Sequence, residues 1–127
     1  MKSILVLFTL FITSAHAKDL VCPTPFIKSV KADVIARTIR MQQENHTTKP
    51  NDKNMHCSVS CILTLRCYAA DVLTLGIGKE IWDVFTPGDA DLRDLQADYR
   101  GINLSTSGRA RDKADCHSQC DSYYPFN

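Results

Sequence analysis

A small all-α domain of about four to five helices, stapled by disulfides, is the fold this sequence predicts. Three observations carry it. The chain has 127 residues, 44% hydrophobic and 23% charged, which suits one globular domain. Apolar residues recur at helical spacing, and no alternating strand pattern of useful length appears. Six cysteines are many for this length, and four of them form two pairs spaced four apart.

The first element is a targeting segment. Lys2 gives a positive start, Ile4 to Ile12 an apolar run, and Ala15-His16-Ala17 a small-x-small cleavage pattern. The run is too short for a spanning helix, which needs about 20 apolar residues. Residues 1–17 are thus expected to be a signal peptide of bacterial form, and 18–127 a single helical domain. The residues before Cys22, Asp19-Leu20-Val21, are not the small ones of a lipobox. No later stretch is long enough to span a bilayer. Cleavage leaves 110 residues with 14 basic and 14 acidic side chains. Such a balance is no nucleic-acid footprint. The expected location is the periplasm or outside the cell.

A short extended lead with Cys22, Pro23 and Pro25 comes next. From Phe26 to about Glu44 the pattern is helical, with Phe26, Ile27, Val30, Val34, Ile35 and Met41 as a broad apolar face. His46 to Asn54 reads as a loop around Pro50. The most apolar block follows, as two helices or one bent one, over about Asp52–Cys67 and Ala70–Phe85. Gly76 and Gly78 mark a close helix approach there. Thr86-Pro87-Gly88 is a stop, and Asp89 is the expected N-cap of a short helix ending before Gly101 at its C′ position. Asn103 to Gly108 reads as a loop. Ser107 is the expected cap of a last helix through Cys120, and the aromatic tail, with Tyr123, Tyr124 and Phe126, packs against the surface.

Cys57 and Cys61 share one helix face, and so do Cys116 and Cys120. Six cysteines allow fifteen pairings. Antiparallel helices favour Cys57–Cys120 with Cys61–Cys116, which leaves Cys22–Cys67 to hold the lead. The competing reading is zinc, with His56 and His117 beside the thiols. The spacing is not a CxxC knuckle and export favours oxidation, so no zinc is expected at the cysteines.

Polar residues interrupt this apolar pattern in clusters. Asp52-Lys53-xx-His56 opens the most apolar helix. Gly76-x-Gly78-Lys79-Glu80-xx-Asp83 places Gly76, Glu80 and Asp83 on one face. Asp91, Asp94 and Asp98 form an acidic stripe that ends near the Gly101 turn, beside an apolar stripe of Leu92, Leu95 and Tyr99. Like charges at this spacing cost a helix a few tenths of a kcal/mol, about. Asp98 also lies at the wrong helix end for the dipole, so it asks for a partner. Lys53, Lys79, Arg93, Arg100 and His56 are the candidates. The bland alternatives are a solvated acidic face, a surface Lys79–Glu80 pair and an ordinary histidine.

Taken in order, Asp52-Lys53-xx-His56, Gly78-Lys79-Glu80-xx-Asp83 and Asp94-Leu95-x-Ala97-Asp98-xx-Gly101 resemble a pattern of small exported bacterial proteins. They also resemble one in the cysteine-rich C-terminal domains of Rhs-type polymorphic toxins, together with His56-Cys57-xx-Ser60-Cys61, Cys67 and the Cys116–Cys120 cluster. A looser form resembles VanZ-like membrane proteins, which have Asn where this chain has Asp98. The resemblance spans roughly Asp52 to Cys120. It implies a polar site shared between helices at His56, Glu80, Asp83, Asp94 and Asp98, but no particular chemistry.

Three functions follow as expectations. The first is a cell-envelope hydrolase or toxin-like effector, with peptidoglycan or phospholipid as natural substrate. His56, Glu80 and Asp94 form its candidate catalytic set, with His56 as general base or metal ligand. Lys53, Lys79, Asp83 and Asp98 are its binding residues. The lysines suit an anionic group, and Asp83, Asp94 and Asp98 suit a divalent cation. The cofactor is otherwise unknown. The sequence has no GxSxG, HExxH or phosphate loop. The second is a non-catalytic secreted factor that binds an envelope component or a secreted partner, its polar network being structural. The third is an immunity-type inhibitor. The discriminator between the first two is geometric: a working cluster opens into a pocket, and a structural one is sealed and fully paired.

Overall fold

The computed structural model describes residues 21–76 and 91–127. Four helices are defined: α1 (Thr24–Glu44), α2 (Asp52–Arg66), α3 (Leu92–Thr106) and α4 (Lys113–Tyr123). A further helical segment covers 69–76, and there is no β-strand among the described residues. The small, disulfide-stapled all-α fold is therefore present. The signal segment 1–17 lies outside the described residues, as do Gly78, Lys79, Glu80, Trp82, Asp83, Phe85, the Thr86-Pro87-Gly88 stop and Asp89.

Local chemistry sets the helix ends. Pro23 precedes α1 in extended backbone, and Pro25 sits in the first turn, where a missing N–H costs nothing. The helix therefore begins at Thr24, slightly before Phe26. Asn45 ends it, and His46 takes φ 53°, the left-handed position usual after a helix. The N-cap of α2 is Asn51, whose side chain accepts from the Asn54 N–H. At Cys67 the backbone turns extended and separates α2 from 69–76, so the described part of the apolar block is two helices.

The end of the chain departs from expectation. Asp91 caps α3, accepting from the Arg93 N–H at 2.9 Å. The helix then runs through Gly101 to Thr106, so Gly101 is no stop and 103–106 is no loop. The stop is Gly108, at φ +74°. Asp112, and not Ser107, caps α4. It accepts from Asp115 N–H at 2.8 Å, while the Asp115 carboxylate accepts from Arg111 N–H at 2.9 Å.

α2 is the central helix, packed by α1, α3 and α4. Its pairing with α3 is the closest. Gly101 makes this so: it lies against the α2 backbone at Cys57 and Cys61, with Ala97 wholly buried one turn before it. α1 buries only the stripe Val30, Val34 and Thr38, and Ile35 is half exposed, a narrower face than its apolar residues suggest.

The disulfides join Cys57 to Cys120, Cys61 to Cys116 and Cys22 to Cys67. The first two cross-link antiparallel α2 and α4. The third ties the lead to the end of α2, and the Cys22 N–H adds a 2.6 Å bond to Asp71. Among the described residues the largest wholly buried side chains are Leu104 and Val34, followed by Asn54, Thr64 and cysteines. Each disulfide adds about 2–4 kcal/mol to the packing of these residues.

Candidate functional site

α2 and α3 build the site. Lys53, His56 and Ser60 are spaced one turn apart on α2, and Asp91, Asp94 and Asp98 are spaced one turn apart at the start of α3. Close approach of the helices interleaves the two rows.

Lys53 Nζ donates to Asp91 at 2.7 Å and also to Asp94 Oδ1. His56 Nε2 stands 3.4 Å from Asp94 Oδ2, and its Nδ1 is 3.0 Å from Asp98 Oδ1. Ser60 Oγ donates to the same Asp98 oxygen at 2.8 Å. Arg93 Nε reaches Asp91 at 3.1 Å on the outer side. The result is a continuous polar row from Arg93 to Ser60. Burial acts to lower the Lys53 pKa, but its hydrogen bonds to Asp91 and Asp94 outweigh it, and the net shift is upward. Hydrogen bonds from Lys53 and Arg93 hold the Asp91 carboxyl well below the usual range. Lys53 is thus bound as a cation between two carboxylates.

The row ends at a cavity of about 260 Å³ between α1, α2 and the 69–76 segment. Its wall is largely apolar, with Val34, Met55, Val59, Leu63 and Val72. His56, Ser60 and Asp98 supply polar groups there, and Lys31 another on α1. Asp98 is 3% exposed, and its buried Oδ2 has no hydrogen-bond donor among the described residues. That oxygen lies against Gly76: a Cβ on Gly76 would stand 2.7 Å from it. Gly76 is the close approach expected of it, made here to a carboxylate.

Of the expected site residues, His56, Asp94, Asp98 and Lys53 come together. Lys79, Glu80 and Asp83 lie outside the described residues. Asp98 finds its partner in His56, and sits in mid-helix because α3 continues for two more turns. Sequence reasoning left Ser60 and Asp91 out of the site, although both lie one turn from members of it. Ser60 donates to a carboxylate and not to the imidazole, so the contacts do not set it up as a nucleophile. Among the described residues no group of three His, Cys, Asp or Glu side chains is placed to hold a metal ion. All six cysteines are in disulfides, so none offers a thiolate.

A second network lies on the other side of α2. Buried Asn54 donates to Asp121 Oδ1 and to the Tyr124 carbonyl, both at 2.9 Å, and accepts from Ser58 at 3.3 Å. Arg37 grips Asp121 with two bonds, of 3.1 and 2.5 Å. This links α1, α2 and α4 and anchors the tail.

No protein-family model, curated protein or solved structure matches the chain. Among the described residues no helix is long and apolar enough to cross a membrane.

Proposed function

We propose that the protein is an exported bacterial factor that binds the apolar part of an envelope component in the α1–α2 cavity. One observation carries this: the polar row ends in the wall of an apolar cavity, where Asp98 Oδ2 has no hydrogen-bond partner among the described residues. A cavity of about 150 Å³ holds benzene, so one of this size suits an apolar group of about ten carbons. His56, Ser60 and Asp98 then face the polar end of the ligand. Three disulfides fit an oxidising compartment, and the resemblance to Rhs-type toxin domains agrees with an exported role.

A second reading, hydrolysis, is favoured by one contact. Asp98 holds His56 through Nδ1, the arrangement that orients an imidazole for acid–base work. One experiment separates the two. The oxidised protein is mixed with a decyl ester, and binding and product are followed together. Binding without product, lost in a cavity-filling Val59→Phe variant, is the expected result. Product formation abolished by His56→Ala establishes the second reading instead. Neither binding nor product overturns both.

A further inference from the structure

A groove of about 1000 Å³ runs along the outer face of α3 to the chain's aromatic tail. It is separate from the apolar cavity. Four of its lining side chains are cationic, and no carboxylate lines it among the described residues. Two of these cations, Lys53 and Arg93, are neutralised by Asp91 and Asp94. Arg100 and Arg109 have no carboxylate partner among the described residues.

Each of the two is oriented without a carboxylate. The Arg100 guanidinium lies 4.3 Å over the Tyr123 ring and 5.6 Å from Tyr124. Stacking uses its flat face and leaves the N–H edge for an acceptor. Arg109 donates to Asn103 Oδ1 at 2.7 Å and to Ser107 Oγ at 3.2 Å, both neutral groups. Asn103 is one turn from Arg100 on α3, which brings the two guanidiniums to neighbouring places on one face. Tyr99, 63% exposed, and Tyr123 add flat rings beside them.

We infer that this groove binds an anionic saccharide chain, its carboxylates on Arg100 and Arg109 and its sugar rings against the tyrosines. The apolar C–H face of a pyranose lies flat on an aromatic ring. An acidic peptide carries the charge but gives the tyrosines nothing flat to meet. A nucleic acid carries flat bases, but its charge density asks for many cations, and this groove has two left uncompensated.

The test uses the full oxidised protein at low salt, with polygalacturonate, dextran, poly-L-glutamate and oligodeoxythymidylate as probes. The expected result is binding to polygalacturonate that weakens with salt, and none to neutral dextran. Arg100→Ala and Arg109→Ala each weaken it by about tenfold. Arg100→Lys fails to restore it, because the stack and the fork are lost. Both positions are exposed, and unchanged melting verifies the fold of each variant. His56→Ala leaves this binding intact, so it stands or falls apart from the cavity's ligand. No binding to polygalacturonate, equal or tighter binding to poly-L-glutamate or the oligonucleotide, or indifference to both Arg100→Ala and Arg109→Ala overturns the inference.

Discussion

A methyl group on Gly101 would stand 2.2 Å from the carbonyl oxygen of Cys57 and 2.9 Å from the Cys61 nitrogen. The obstacle is the α2 backbone, which no side-chain rotation relieves. Gly101 therefore sets the α2–α3 distance, and with it the distance from His56 to Asp94 and Asp98. Gly101→Ala is expected to destabilise by about 3 kcal/mol or more, read as a lower urea midpoint. Gly108→Ala has open space but φ +74°, and costs only about 1 kcal/mol. Equal costs at the two positions would refute this account.

Why Gly101 misled the reading is instructive. Glycine after an amphipathic run is a common helix end. Here Ala97 and Gly101 form a small stripe at i and i+4, and that signal for close packing was also in the sequence. Cysteine spacing was more direct, because two i, i+4 pairs on antiparallel helices leave little freedom in how they join. Asp98's need for a partner was legible from its place in the stripe. The cavity and the Arg100–Arg109 groove were not. They arise where elements far apart in sequence cross, and no local period records a crossing. Asn54 was hidden likewise, since a polar residue at a helix start reads as exposed until Asp121 and Tyr124 close over it.

Asn54→Ala tests that closure. It removes the donor to Asp121 and to the Tyr124 carbonyl and leaves Ser58 without its acceptor. Unpaired buried groups cost about 1–3 kcal/mol each, although Asp121 keeps Arg37. The expected loss is about 2–3 kcal/mol, with faster hydrogen exchange at the start of α2 and in the tail. A change under about 0.5 kcal/mol would show that the network is not structural.

His46 offers the opposite sign. It holds φ 53° after α1, and its ring is exposed. A non-glycine residue there carries a left-handed strain of about 1 kcal/mol. His46→Gly relieves it, at some cost in unfolded-chain entropy. A gain of about 0.5 kcal/mol in stability is expected, visible as a small rise in melting temperature. A loss would mean that the histidine ring contributes more than the backbone strain.

His117 gives the protein a pH dependence. Burial first, and then the Arg37 charge, push its pKa from 6.5 down to about 4. Its Nδ1 is buried without a hydrogen-bond partner among the described residues. The folded state therefore prefers the neutral ring. Between pH 6.5 and 4 the unfolded chain takes up a proton that the folded chain refuses, so stability falls as pH falls through that window. The depressed Asp33 and Asp91 carboxyls, whose ordinary value is 3.8, weaken the fold mainly below it. Discounted for the ring's partial exposure, the loss at His117 is about 1–2 kcal/mol by pH 4.5. Urea midpoints of the oxidised protein at pH 7.5, 6 and 4.5 give the profile. His117→Gln should flatten it while leaving the disulfides in place. If the variant shows the same fall as the native chain, the titrating group lies elsewhere.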